Sequence, residues 1–243
     1  MYRTTSASDE LATWVSSSWR ETLTTGSHID GVHPDGAIDI VWDGSELVVI
    51  GPRTRSDMAL KTRAGAEFIG VRLRPGSTRA IIGEAAVAIA DKTVPLERFW
   101  GNAARAAMIR LQGSRPDGAM AELCALLIER GRAAGDPDRL IPRIVELASL
   151  QRTVSGIAHE VGLSERQLFR RCVDEVGYGP KHLVRVLKLQ RLLGLATRLP
   201  DAGLAALAAA VGYSDQAHMS RECRRLTGLT PAQLVRSQRH LSR

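Results

Sequence analysis

Two segments in the last third of the chain repeat one pattern, and this duplication constrains the fold more than any other feature. The first runs Val161-Gly162-Leu163-Ser164-Glu165-Arg166-Gln167-Leu168-Phe169-Arg170-Arg171-Cys172. The second runs Val211-Gly212-Tyr213-Ser214-Asp215-Gln216-Ala217-His218-Met219-Ser220-Arg221-Glu222-Cys223. Each then reaches a Gly and a Pro, Gly177 and Pro180 in one, Gly228 and Pro231 in the other. The glycines at 162 and 212 are offset by 50 and the prolines at 180 and 231 by 51, so the second copy carries one extra residue. A short helix, a Gly free to take positive φ and a second helix make a helix-turn-helix. One such pattern is a weak signal, because many helical hairpins resemble it. Two copies joined by a helical spacer are specific.

The local signals agree. Helices are expected at Leu140–Leu150 and Val154–Val161, with Gly162 closing the latter. Ser164 with Gln167 three residues on is a capping-box pattern, so a new helix starts there. In it Leu168, Cys172 and Val176 recur at i, i+4, i+8 and face inward, which turns Arg166 and Arg170 elsewhere. Pro180 suits the first turn of the next helix, where its missing N–H costs nothing. That helix continues to about Thr197, with Leu183, Val186, Leu187, Gln190 and Leu193 as its inner face. The second copy repeats the plan: Leu204–Val211, then Asp215 to Thr227, then a last helix capped at Thr230-Pro231.

Charge is placed where these repeats are. Residues 136–243 carry 17 Lys+Arg against 10 Asp+Glu, whereas residues 1–135 carry 16 against 16, so the whole formal charge of +7 sits with the helical half. That asymmetry points to a polyanionic partner, double-stranded DNA, for this half. The three cysteines, Cys124, Cys172 and Cys223, include no C-x-x-C pair. Cys172 and Cys223 hold equivalent apolar positions in the repeats, where core packing explains them. The sparse, odd count fits a reducing compartment, and no basic-then-apolar leader or long apolar run is present, so a cytoplasmic protein is expected.

The N-terminal half reads differently. Residues 37–42 and 46–50 are strands rich in branched and aromatic side chains, with Asp43-Gly44 as the hairpin signal. A third strand is expected at Glu67–Arg74, ended by Pro75-Gly76, and another at 57–61. Helices follow at Leu96–Leu111 and Ala119–Arg132, the latter with Met120, Leu123, Cys124 and Leu127 on one stripe. The Gly-, Ala- and Asp-rich stretch 131–137 is the linker candidate. The expected architecture is an α+β N-terminal domain, 1–135, with a small antiparallel sheet and helices. An all-α domain, 136–243, follows, of two helix-turn-helix units joined by a long helix.

In such units the solvent face of the second helix enters the major groove. Arg166, Phe169 and Arg170 lie on that face in the first copy, and Gln216, Ala217, His218, Ser220 and Arg221 in the second. Gln bonds bidentately to adenine, Arg to guanine, and Ala contacts a thymine methyl. Phe169 has two readings, a thymine contact or a contact with the neighbouring helix. A linking helix of roughly 17 residues spans about 25 Å, which with its flanking turns approaches the ~34 Å repeat of successive major grooves. Lys181, Arg185, Lys188, Arg191, Arg224, Arg225, Arg236 and Arg239 are the phosphate-contact candidates as a group.

The arrangement over 139–240 resembles the AraC/XylS family of transcription regulators, most specifically in Gly212-Tyr213-Ser214-Asp215-Gln216-Ala217-His218 through Arg221 and on to Leu226-Thr227-Gly228-Leu229-Thr230-Pro231. The resemblance implies promoter binding through both recognition helices. By position, Arg166, Phe169 and Arg170, then Gln216, Ala217, His218 and Arg221, face bases, and Lys181, Arg224 and Arg225 face phosphates. The family usually has Phe where Cys172 and Cys223 stand. The segments His33-Pro34-Asp35-Gly36, Ile38-Asp39-Ile40-Val41-Trp42, Gly51-Pro52 and Gly70-Val71-Arg72-Leu73-Arg74-Pro75-Gly76 resemble the N-terminal domain of a bacterial AraC subgroup. That likeness implies a sensor or dimerisation role, with a small-molecule effector, a homodimer and RNA polymerase as further expected partners.

Chemistry in residues 1–135 is less well signalled. His28, His33, Asp35 and Asp39 cluster in sequence, but Pro34 and Gly36 make the segment an ordinary turn, and no metal or cofactor is expected. Arg72 and Arg74 could hold an anionic effector or pair with nearby carboxylates. The four Trp residues, 14, 19, 42 and 100, could line an apolar pocket or pack a core. No nucleophile elbow, phosphate-binding loop or dinucleotide fingerprint is present. Enzymes fused to such a DNA-binding domain, with an N-terminal Cys cluster that takes up alkyl damage, occur in this broad family, but here the N-terminal half has only Cys124. The leading expectation is a sequence-specific transcription regulator, not an enzyme. The alternative is a ligand-processing module tethered to DNA by its helical half.

Overall fold

The computed structural model describes residues 2–22, 33–56 and 65–241. Among the described residues, six strands form one antiparallel sheet: β1 (Tyr2–Ser6), β2 (Val15–Thr22), β3 (Asp39–Trp42), β4 (Leu47–Ile50), β5 (Glu67–Leu73) and β6 (Thr93–Pro95), in the order β1-β2-β5-β3-β4-β6. The β3–β4 hairpin turns on Asp43, whose Oδ1 accepts the N–H groups of Ser45 at 2.8 Å and Glu46 at 2.7 Å. The strand expected at 57–61 lies outside the described residues. Strands β1 and β2 were not legible, because β2 reads Ser-Ser-Ser between Val15 and Trp19 and β1 is an exposed edge of Tyr, Arg, Thr and Ser.

Two short helices, α1 (Thr78–Ile82) and α2 (Ala86–Ile89), follow β5. The single helix expected from Leu96 is broken into α3 (Glu97–Trp100) and α4 (Asn102–Gln112), because Gly101 takes a non-helical φ of 54° and ψ of −128°. Helix α5 (Pro116–Ala134) packs against α4, α1 and β5, burying Leu123 and Leu127 with Ile40, Ile69 and Val71 of the sheet. Trp14, Trp19 and Trp42 are buried, and the Trp14 indole N–H donates to the Gly135 carbonyl at 2.9 Å. The tryptophans therefore serve this domain's packing.

The remainder is helical: α6 (Leu140–Ser149), α7 (Val154–Glu160), α8 (Glu165–Val176), α9 (Pro180–Arg198), α10 (Leu204–Val211), α11 (Gln216–Thr227) and α12 (Pro231–Leu241). A second apolar cluster, from Ile141 to Val235, is shared by these helices around α9. The inner stripe of α9 consists of Leu183, Val186, Leu189, Leu192, Leu193 and Ala196. Leu187, expected on that stripe, packs partly against this cluster and also reaches the N-terminal half, whereas Gln190, also expected there, turns to the N-terminal half. Leu187 lines a small cavity with Ile38 and Leu73, and the Gln190 amide donates to the Pro34 carbonyl at 2.6 Å. Helix α9 is thus covered on two sides. No helix among the described residues is long and apolar enough to cross a membrane.

Candidate nucleic-acid interface

In the first unit, Thr153 caps α7 by accepting the Gly156 N–H at 3.1 Å. Gly162 takes φ of 69° and turns the chain into α8. The capping box is complete: Ser164 Oγ accepts the Gln167 N–H at 3.2 Å, and Gln167 Oε1 accepts the Ser164 N–H at 2.9 Å. Such a cap stabilises a helix start by about 1 kcal/mol. Leu168, Cys172 and Val176 are buried, so Arg166 and Arg170, one turn apart, stand exposed on the outer face. Neither guanidinium makes a hydrogen bond or ion pair with a described residue.

The second unit shows where its extra residue went. The N–H groups of Leu163 and Tyr213 close equivalent turns, onto Ala158 and Ala208, and are still offset by 50. The caps Ser164 and Asp215 are offset by 51. Ser214 is therefore the insertion, and its hydroxyl contacts Asp215 Oδ2 at 3.2 Å and His218 Nδ1 at 3.1 Å. Asp215 Oδ1 accepts the His218 N–H at 2.6 Å, and this bond holds its carboxyl below the usual range. The buried Tyr213 ring stands edge-on to His218 with centroids 5.4 Å apart. Lys188 lies 4.2 Å over the same ring and donates to the Gly212 carbonyl at 2.5 Å.

Met219, Cys223 and Leu226 face inward on α11, which leaves Gln216, Ala217, Arg221, Arg224 and Arg225 exposed. Ser220 and His218 are half-buried on the flanks, and the His218 ring is held by Tyr213 and Ser214. Cys172 and Cys223 are both fully buried, and burial pushes each thiol up to about 12.

Between α8 and α11 lies a cleft of about 880 Å³ whose floor is the first half of α9. Glu165 and Phe169 line one wall, and Tyr213, His218 and Glu222 the other. A Cβ on Gly179 would come within 2.6 Å of Phe169 Cε2, so the ring lies on the start of α9 while remaining 56% exposed. Of the cations grouped as phosphate contacts, two are committed within the protein. Arg185 pairs with Glu222 at 3.2 Å, and Lys188 holds Tyr213 and Gly212. Lys181, Arg191, Arg224, Arg225 and Arg236 are exposed, with no hydrogen bond or ion pair from their side chains to a described residue. The Arg239 side chain lies outside the described residues.

In the N-terminal half, Arg72 forks onto Asp39 at 2.9 and 3.0 Å and reaches Asp35 at 3.0 Å. Its charge is spent on carboxylates of its own domain, and burial still holds the Asp39 carboxyl above the usual range. Arg74 is exposed at the strand end. His28 lies outside the described residues, and His33 Nδ1 lies 2.7 Å from Ser56 Oγ. The residue that sequence reasoning missed is Glu175, a carboxylate on the inward stripe of α8, only 6% exposed. Its position three residues after Cys172 was the available signal. Burial, with Asp138 nearby, pushes its carboxyl up to about 7 against the N–H groups of Arg79 and Thr78.

Residues 157–237 match a family described as a helix-turn-helix domain, and residues 3–95 match a domain of unknown function (DUF6597). No curated protein matches the chain. Among solved structures, the C-terminal domain of AraT, a response regulator from Geobacillus stearothermophilus, is 20% identical with a TM-score of 0.36, covering 41% of this chain and 86% of that one. A probable AraC family transcriptional regulator from Rhodopseudomonas palustris CGA009 is 20% identical with a TM-score of 0.36, over 42% and 98%. ToxT from Vibrio cholerae O395 is 8% identical with a TM-score of 0.47, over 96% of each chain. The helix-turn-helix match spans the two units on either side of α9, so the C-terminal half carries a helix-turn-helix domain.

Proposed function

We propose that one chain reads two adjacent major grooves of promoter DNA, with α8 in one and α11 in the next. The observation that carries this reading is the pair of equivalent exposed faces, Arg166 with Arg170 and Ala217 with Arg221, on helices joined by the 19 residues of α9. At ~1.5 Å per residue α9 is about 28 Å long, close to the ~34 Å repeat of the duplex. Arg166 and Arg170 read bases in one half-site, and Gln216, Ala217 and Arg221 in the other. Phe169 and His218 flank these faces and supply apolar and edge contacts. Lys181, Arg224 and Arg225 take phosphates, which fix register without reading sequence.

Residues 1–135 form the regulatory half and the boundary falls near residue 136. This half acts on transcription by admitting a small-molecule effector and passing its state to α8, against which α1 and α2 pack. Hydroxyl-radical footprinting of the full chain on a selected duplex tests the reading. Two protected patches on one duplex face, about one helical turn apart, are expected at one chain per duplex. A single patch, or protection only when two chains bind, contradicts it.

A further inference from the structure

The N-terminal half holds both recognition helices at their C-terminal ends. At α8, Thr78 Oγ1 donates to the Glu175 carbonyl at 2.8 Å, and the Thr78 N–H donates to Glu175 Oε2 at 3.2 Å, with both residues buried. Arg79 pairs with Asp174 at 3.4 Å on the same turn. Just beyond, Gly177 ends α8 at φ of 89°, and a Cβ there would stand 2.5 Å from Pro52 Cγ and 3.3 Å from the Ala86 carbonyl oxygen. Only Gly fits both that backbone angle and that approach.

At α11 the contact comes from the same loop. Four residues after Pro52, the Ser56 N–H donates to the Leu226 carbonyl at 2.7 Å, in the last turn of α11. The loop is fastened to its own domain between these points, because Asp91 accepts the Thr54 N–H at 2.7 Å and the Thr54 hydroxyl at 2.6 Å. Residues 52–56 thus form a strap from the end of one recognition helix to the end of the other. No hydrogen bond or ion pair among the described residues joins α8 directly to α11, so the strap adds a tie at their C-terminal ends to those that α9 and the Gln151–Val211 hydrogen bond make, and constrains their separation and tilt.

We infer that this strap and the Thr78–Glu175 contact set the spacing between the two recognition helices, so that the N-terminal half selects which half-site separation is read. The inference rests on the double-groove reading for its consequence in DNA, but the geometry it claims is measurable without DNA. Two equilibria are then linked: whatever shifts α1 or the strap shifts half-site choice, and the matching duplex shifts the N-terminal half by the same factor.

The test uses the full chain with Cys124→Ser and spin labels at Glu165→Cys and Arg224→Cys, since Cys172 and Cys223 are buried. Ser56→Pro deletes the N–H that reaches Leu226, and Thr78→Val deletes the hydroxyl that reaches Glu175. Thr78→Ser restores that hydroxyl, and Ser56→Ala keeps the N–H. One narrow label-to-label distance is expected for the parent, Thr78→Ser and Ser56→Ala, and a broadened or shifted one for Thr78→Val and Ser56→Pro. Circular dichroism confirms which variants are folded, and Thr78→Val alone suffices if Ser56→Pro is not. An unchanged distance in the folded variants overturns the inference.

Unlabelled chains are then bound to duplexes whose half-sites are moved apart or together by one base pair. A preference of about tenfold for one spacing should shrink to within about twofold in Thr78→Val. Selective binding with unchanged spacing preference also overturns the inference. Absence of any selective binding refutes the double-groove reading instead, and the label distances alone then decide whether the grip exists.

Discussion

Arg170 and Arg221 occupy the same position in two copies of one motif. Each stands six residues beyond the cap of its helix, two after a buried Leu168 or Met219 and two before a buried cysteine. Both guanidiniums are exposed and neither forms an ion pair with a described residue. Their equivalence makes a paired prediction. Arg170→Ala should lose about 1–3 kcal/mol of base discrimination in one half-site, and Arg221→Ala the same in the other. Competition binding with half-site variants measures this, and losses that ignore base identity would remove both residues from the list of readers.

Arg224 lies one helical turn nearer the end of α11, and in the proposed reading it takes a phosphate. Arg224→Ala should weaken all duplexes alike and reduce the slope of log affinity against log salt by about one. A change in base preference with no change in slope would exchange its role with that of Arg221.

Lys188 separates structure from recognition. Its ammonium is committed to the Tyr213 ring and the Gly212 carbonyl, in the turn that Ser214 lengthens. Lys188→Met should therefore lower thermal stability, by about 1 kcal/mol, while leaving the salt slope of DNA binding unchanged. Calorimetry and a salt titration on the same preparation check it, and a shallower slope at unchanged stability would return Lys188 to the phosphate contacts.

The duplicated helices, their glycine turns, the capping box and the outward arginines were all legible, because they depend on residues within one or two turns of each other. What required the structure was long-range. Leu187 and Gln190 fit the periodic stripe of α9, but a helix covered on two sides carries apolar residues on both, and periodicity alone does not say which neighbour each face meets. By sequence Arg185 and Lys188 fall among the phosphate-contact candidates, and only the folded chain places Glu222 and Tyr213, distant in sequence, beside them. Strands β1 and β2 carry Ser, Thr and Arg at most positions, so their pairing shows only through register, such as Trp19 opposite Gly70.

Glu175 gives the protein a pH dependence of definite sign. Burial raises its folded-state carboxyl from 4.5 to about 7, so between these values the folded chain binds the proton more tightly than the unfolded one. Stability from this group is therefore highest below pH ~4.5 and falls as pH rises toward 7. Glu175→Gln, which keeps a carbonyl oxygen for the Thr78 N–H, should flatten denaturation midpoints across that window. A window that persists unchanged in the variant would assign it to another group.

The buried thiols of Cys172 and Cys223, pushed up to about 12, should resist a thiol reagent in the native chain, leaving half-buried Cys124 to react first. Unfolding in denaturant should release the other two. Rapid native labelling of Cys172 or Cys223 would mean that the recognition helices open away from α9.

The central claim, that one chain reads two grooves, is tested most directly by selecting duplexes from a random pool with the purified full-length protein and measuring stoichiometry on the recovered site. Two short sequence blocks about 10–10.5 base pairs apart, bound by one chain, are the predicted result. A single block, or a symmetric site that needs two chains, would contradict it.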